Sequence, residues 1–181
     1  ASPSLNFTEA ANTFRDDVNT DGDQPYYLFP TSNAKNGGYA FHANDPAKYV
    51  VSTNAYEFME DLKAAAIVLN KTDAIIAGTE INGFDTHSNQ VTAGNPHLGS
   101  HANLQRSIGW AMYALKKYFT NYSDKVDWND VVVVTLSEFG RTTIENSDVG
   151  TDHAEAGVMF VAGGAVKGYK KRDPPGVFGA N

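Results

Sequence analysis

Four valines in a row, Val131-Val132-Val133-Val134, constrain this chain more than any other feature. β-Branched residues suit a pleated backbone, and an unbroken run of them without polar alternation suits a strand covered on both faces, the pattern of parallel sheets. The strand is expected over Asp130 to Leu136. Parallel strands need helical crossovers, so a period of 3.6 should flank it. Leu104, Ile108, Ala111, Met112, Leu115 and Phe119 share one face of a helix predicted from about Leu98 to Tyr122. Phe58, Leu62, Ala65, Ala66 and Leu69 mark an earlier helix that Asn54 can cap. Between the helices, Ala74-Ile75-Ile76-Ala77 within Asp73 to Ile81 reads as a short buried strand ending at Asn82-Gly83. A last apolar strand, Val158 to Ala162, runs into Gly163-Gly164. The order helix, strand, helix, strand gives a right-handed α/β unit, a largely parallel sheet flanked by helices. The chain returns to it through a long loop, so the last strand is expected antiparallel to Val131–Leu136.

Residues 1–53 differ in character: they are rich in Asn, Asp, Gly, Pro and Tyr and hold no sustained period. They read as an irregular N-terminal arm with short helical pieces such as Phe7 to Phe14, ahead of an α/β portion over residues 54–181. With 181 residues, 41% hydrophobic and 19% charged, the chain has material for a real core. A net charge of -7 without a Lys/Arg stripe argues against nucleic-acid partners, whose phosphates call for clustered cations. No apolar run approaches the roughly 20 residues of a membrane span. The start, Ala1-Ser2-Pro3-Ser4, shows neither the basic nor the apolar region of an export signal. The absence of cysteine excludes disulfides, Cys nucleophiles and thiolate zinc sites, so any metal must be held by oxygen and nitrogen.

Ligands of open α/β sheets bind beyond the carboxyl ends of the strands. Asp85 and His87 follow one predicted strand, Glu138 and Arg141 follow the next, and Asp152-His153 sits in the loop that begins at Ser137. Two Asp-His pairs, a carboxylate and an arginine converging at one edge form a donor set suited to Zn, Mn or Mg. The plainer alternative makes Asp85 an Asx turn and Asp152 a helix cap with His153 solvated. Arg141 is suited either to an anionic substrate group or to a salt bridge with Glu138 or Glu145.

Other motifs carry less. His97 and His101 stand one helical turn apart without the zincin Glu between them, and His101 shares the apolar face, as a packed histidine would. His42 has no partner in sequence. Asp17-Val-Asn19-Thr-Asp21-Gly22-Asp23 resembles the first half of a calcium loop, but Leu28 stands where the bidentate Glu belongs and Pro25 takes a ligand position. Leu136-Ser137-Glu138-Phe139-Gly140 is not a nucleophile elbow, and Gly163, Gly164 and Gly168 do not make a dinucleotide fingerprint.

Taken in order, Gly83-Phe84-Asp85-Thr86-His87-Ser88-Asn89-Gln90, Ser137-Glu138-Phe139-Gly140-Arg141-Thr142, Glu145-Asn146, Gly150-Thr151-Asp152-His153 and Gly163-Gly164-Ala165-Val166-Lys167-Gly168 resemble the DUF1501 family. That family is grouped with the alkaline phosphatase and sulfatase superfamily and is often exported. The resemblance implies an alkaline phosphatase-like core, here partial, with a two-metal site. In it Asp152 and His153 match an Asp-His dipeptide that ligates one metal, and Asp85 and His87 are the candidates for the other. Paired metals would neutralise an ester's anionic oxygens and activate an attacking oxygen. Ala154 stands where the family usually has Gly, and nothing before residue 80 matches the family's early Gly-Gly-x-Asp-Gly-Leu-Asn segment or supplies the superfamily's Ser or Thr nucleophile. The chain therefore reads as a fragment or a shortened member.

Two functions follow as expectations. The first is a metal-dependent hydrolase acting on a small anionic phosphate or sulfate ester, exported to the periplasm or beyond, with Asp85, His87, Asp152 and His153 as metal ligands and Glu138 and Arg141 as catalytic groups. The alternative is a secreted binding or structural protein that keeps the fold without chemistry and holds calcium at Asp17–Asp23. Sequons at Asn6, Asn70 and Asn121 would suit it in a eukaryotic secretory source.

Overall fold

The computed structural model describes residues 15–16, 26–29, 54–95 and 97–167. In chain order it contains β1 (Arg15–Asp16), β2 (Tyr26–Tyr27), α1 (Asn54–Lys71), α2 (Ser100–Asn121), a 3₁₀ turn (Trp128–Asp130), β3 (Val132–Val134), β4 (Gly140–Arg141), β5 (His153–Ala154) and β6 (Val161–Gly163). The Phe7–Phe14 piece, the Asp17–Asp23 loop, His42 and the sequon at Asn6 lie outside the described residues.

α1 forms where its apolar spacing predicts it. Ala55, Phe58, Met59, Leu62, Ala66 and Ile67 make one buried stripe, while Glu57 in the first turn and Lys71 in the last complement the helix dipole. α2 begins behind Gly99 and buries Ser107, Ala111, Ala114, Leu115, Tyr118 and Phe119. Leu104, Ile108 and Met112 are only half-buried, so the buried face is turned slightly from the one the sequence suggests. The two helices pack into one core with Val131 and with Leu28 and Phe29, which follow β2. Trp110 Nε1 donates to the Leu28 carbonyl at 2.8 Å, fastening that short segment of the expected arm to α2.

The C-terminal end of α1 is locked to the turn after α2. Asn70, 1% exposed, accepts at Oδ1 from Ser123 Oγ and from the backbone amides of Asp124 and Lys125, and donates to the Tyr118 hydroxyl. An N-linked glycan would need that same amide nitrogen, so the sequon at Asn70 is not an acceptor in the folded chain. Lys71–Asp124 and Lys125–Asp73 ion pairs, at 2.7 and 2.8 Å, flank this lock.

β3 and β6 pair antiparallel, with Val132 opposite Gly163, Val133 opposite Ala162 and Val134 opposite Val161, the direction expected for the returning strand. Every strand pairing among the described residues is antiparallel. Two expectations about the strands are not met among the described residues. The valine run is not covered on both faces: Val131 is buried and Val133 packs on the helical core, while Val132 and Val134 are 59% and 47% exposed. A strand pleats, and in β3 the described neighbours cover only the helix side. The Ala74–Ala77 run forms no strand, and Ile75 and Ile76 are 91% and 85% exposed, because no ladder partner lies beside it among the described residues.

Candidate metal centre

Two segments about sixty residues apart in sequence are laced together to build the site. The Thr86 carbonyl accepts from the Thr151 amide, and the amides of Asn89 and Gln90 donate to the carbonyls of Asp148 and Val149. Gln90 Oε1 accepts from the hydroxyls of both Thr86 and Thr151, at 2.7 and 2.8 Å. This closeness requires glycine at position 150: a Cβ there would come within 2.2 Å of the His87 carbonyl oxygen. Glycine at position 140 does the same for the β4–β5 hairpin, where a Cβ would meet the Ala154 carbonyl oxygen at 2.5 Å and push His153 away.

With the segments clamped, Asp85, His87 and His153 meet, one ligand atom from each lying within 4.8 Å of the others. Asp85 Oδ1 is the hub, 2.9 Å from His87 Nε2, 2.7 Å from His153 Nε2 and 2.8 Å from Arg141 Nη2. The hydrogen bond from His153 is the main cause holding the Asp85 carboxyl below the ordinary carboxylate range, helped by the charges of His87, His153 and Arg141. The two imidazoles face each other with centroids 4.9 Å apart, and the Phe139 ring stacks on His153 at 4.3 Å.

Two nitrogens and a carboxylate oxygen fit a borderline divalent ion such as Zn or Mn. Ligands about 2.0–2.1 Å from one tetrahedral ion lie about 3.3 Å apart, and Asp85 Oδ1, at 2.9 and 2.7 Å from the two imidazole nitrogens, stands close to that spacing. The three side chains are about half exposed, so an ion they held would keep a position open toward solvent, as catalytic sites do. Calcium prefers six to eight oxygens, so this donor set does not suit it. Among the described residues this is the one group of three donors so close.

The remaining candidates take other places. Asp152 stands outside the trio: its Oδ1 meets His87 Nδ1 at 3.0 Å, and hydrogen bonds from His87 and then Asn146 hold its carboxyl below the ordinary range. Arg141 is paired with Asp85 and with neither Glu138 nor Glu145. Its Nη2 also donates to the Phe84 carbonyl at 2.6 Å and its Nη1 to the Thr151 carbonyl at 2.7 Å, which fixes the guanidinium on the inner side of the cluster. Glu138 is exposed, and none of the hydrogen bonds above reaches it. His101 packs edge-on against Phe84, the packed histidine expected, and burial, helped by the charge of Arg141, lowers its pKa. Asn146, in the Glu145-Asn146 motif, ties the two segments together, a role its residue type does not announce. Its Nδ2 donates to the His87 carbonyl and to Asp152, and its Oδ1 accepts from the amides of Asp148 and Gly150.

A family profile described as "Protein of unknown function (DUF1501)" matches residues 60–170, the stretch that holds every residue of the cluster. No curated protein and no solved structure matches the chain.

Proposed function

The chain belongs to the DUF1501 family, and from that premise we propose that it is a metal-dependent hydrolase of phosphate or sulfate esters. The observation that carries the reading is the meeting of Asp85, His87 and His153 at a half-exposed surface, with donor atoms close enough to share one ion. When bound, a divalent ion supplies Lewis-acid neutralisation of the ester's anionic oxygens. The protein's part is to hold two imidazoles and one carboxylate convergent while leaving the outer side open to a small anionic substrate. Arg141 serves this by fixing Asp85 from the inner side of the cluster, where its positive charge adds to the field that favours an anion. To Glu138 we assign proton exchange with the substrate or with water; what supports this is its exposure and its place in sequence beside Phe139, whose ring stacks on His153.

The reading extends to an alkaline phosphatase-like α/β core and to export, both following from the resemblance. What supports the core is where apolar side chains stand exposed. Ile75 and Ile76 after α1, and Val132, Val134 and Leu136 after α2, are the residues a larger, mainly parallel sheet would cover. A two-metal mechanism would require a second set of ligands beyond the trio.

The test is hydrolysis of p-nitrophenyl phosphate and p-nitrophenyl sulfate by the chain loaded in turn with Zn²⁺, Mn²⁺ and Mg²⁺. Turnover that a chelator abolishes and that His153→Ala removes is the expected outcome. Metal bound without turnover of either ester would turn the reading toward the non-catalytic alternative.

A further inference from the structure

We propose that Asp152 is not a metal ligand but the positioning carboxylate of His87, fixing that imidazole so that Nε2 faces Asp85 and His153. The inference rests on the metal reading for its purpose but on hydrogen-bond geometry for its content. His87 has a carboxylate at each nitrogen: Asp85 Oδ1 stands 2.9 Å from Nε2, and Asp152 Oδ1 stands 3.0 Å from Nδ1. Only the first lies on the side shared with His153. A histidine that offers one nitrogen to a metal carries its proton on the other, and that N–H is ordinarily given to a carboxylate or carbonyl, which sets the tautomer and the ring orientation.

The surroundings hold Asp152 to this task. Its backbone is tied on both sides to Thr142: the Asp152 amide donates to Thr142 Oγ1 at 3.2 Å, and the Thr142 amide donates to the Asp152 carbonyl at 2.9 Å. Asn146 Nδ2 donates to Asp152 Oδ1 at 3.2 Å and to the His87 carbonyl at 2.9 Å, so a single amide grips both members of the pair. Asn146 is itself held through Oδ1 by the amides of Asp148 and Gly150. The adjacent residues Asp152 and His153 thus divide the work: His153 supplies a donor, and Asp152 aims the donor of another segment.

The experiment compares the wild-type chain with Asp152→Asn, Asp152→Ala, Asn146→Ala and His87→Ala, each checked for folding by circular dichroism and titrated with Co²⁺. Asp152→Ala is expected to weaken Co²⁺ binding about 10–100-fold while leaving the visible d–d spectrum at saturation like that of the wild type, since the ligands are unchanged. Asp152→Asn keeps an acceptor for the N–H and should fall between the two; Asn146→Ala should weaken binding less. His87→Ala should change the spectrum itself. A saturated Asp152→Ala spectrum altered as in His87→Ala, or an unchanged affinity, would overturn the proposal.

A wild-type chain that binds no Co²⁺ would refute the metal reading alone. The positioning claim is then decided by long-range ¹H–¹⁵N spectra of the metal-free chain at alkaline pH. His87 protonated at Nδ1 in the wild type, with that preference lost in Asp152→Asn and Asp152→Ala, upholds it. Protonation at Nε2 in the wild type overturns it.

Discussion

Asn70 and His87 show how differently single residues can be read. The fragment Phe84-Asp85-Thr86-His87 proclaims its chemistry, because Asp and His are the residues that bind metals and the turn after an extended segment is where they are useful. His153 was legible for the same reason. Which carboxylate meets which nitrogen of His87 was not, since Asp85 and Asp152 are the same residue type and only the fold sets one at Nε2 and the other at Nδ1. Arg141 was visible as a cation but not as the partner of Asp85, a residue 56 positions away. Asn70 drew attention only as a sequon, whereas its amide closes four hydrogen bonds at the helix junction. Asn70→Ala removes all four bonds, those from the Asp124 and Lys125 amides among them, and it should cost about 2–3 kcal/mol in a urea-unfolding comparison. A loss below about 0.5 kcal/mol, the scale of an ordinary surface change, would show that the junction is not held in this way.

The two helices were the most legible elements because a 3.6-residue apolar period is carried by many residues at once. α2 has its ends within two residues of Leu98 and Tyr122, and α1 begins at Asn54, the residue expected to cap it. The strands were harder. A run such as Ala74–Ala77 states that burial is needed but not what provides it, and here Ile75 and Ile76 find no covering among the described residues. Gly109 lies mid-helix in α2, and a Cβ there would meet nothing within 4 Å. Gly109→Ala should therefore stabilise the chain by about 0.5–1 kcal/mol, read from the urea midpoint at constant m-value. Destabilisation would mean that the exposed face of α2 is covered. The junction between α1 and the turn after α2 also predicts an acid response. The hydrogen bond and charge of Lys125 lower the Asp73 pKa, and those of Lys71 lower that of Asp124. A carboxyl depressed in the folded state contributes stability that is present above its unfolded value, about 3.9, and is lost as pH falls through the lower folded value. The thermal midpoint should drop over that window, less steeply in an Asp73→Asn/Asp124→Asn double variant. Parallel curves for the two proteins would show that the pairs contribute nothing.

At the scale of the molecule, two helices and a buried junction form a frame from which the 84–90 and 146–153 segments reach each other, and the cluster exists only because that lacing holds. The meeting of the segments that carry Asp85, His87 and His153 was readable, whereas the order of elements was readable only in its helices and its last two longer strands, since the Ala74–Ala77 run forms none. The pairing partners of the extended segments were not, since they depend on residues distant in sequence. No described helix is long and apolar enough to cross a membrane. If the trio holds a metal, ligand binding must be linked to folding: at a hundredfold excess over the dissociation constant the ion should add about 2.7 kcal/mol to unfolding, visible as a raised melting temperature that chelation reverses. The central claim is that Asp85, His87 and His153 form one metal site, and metal content tests it most directly. After incubation with Zn²⁺ or Mn²⁺ and exhaustive metal-free dialysis, mass spectrometry with inductively coupled plasma should find about one equivalent in the wild-type chain and none in an Asp85→Ala/His87→Ala/His153→Ala variant that remains folded. No retained metal in the wild type, or the same amount in the triple variant, would contradict it.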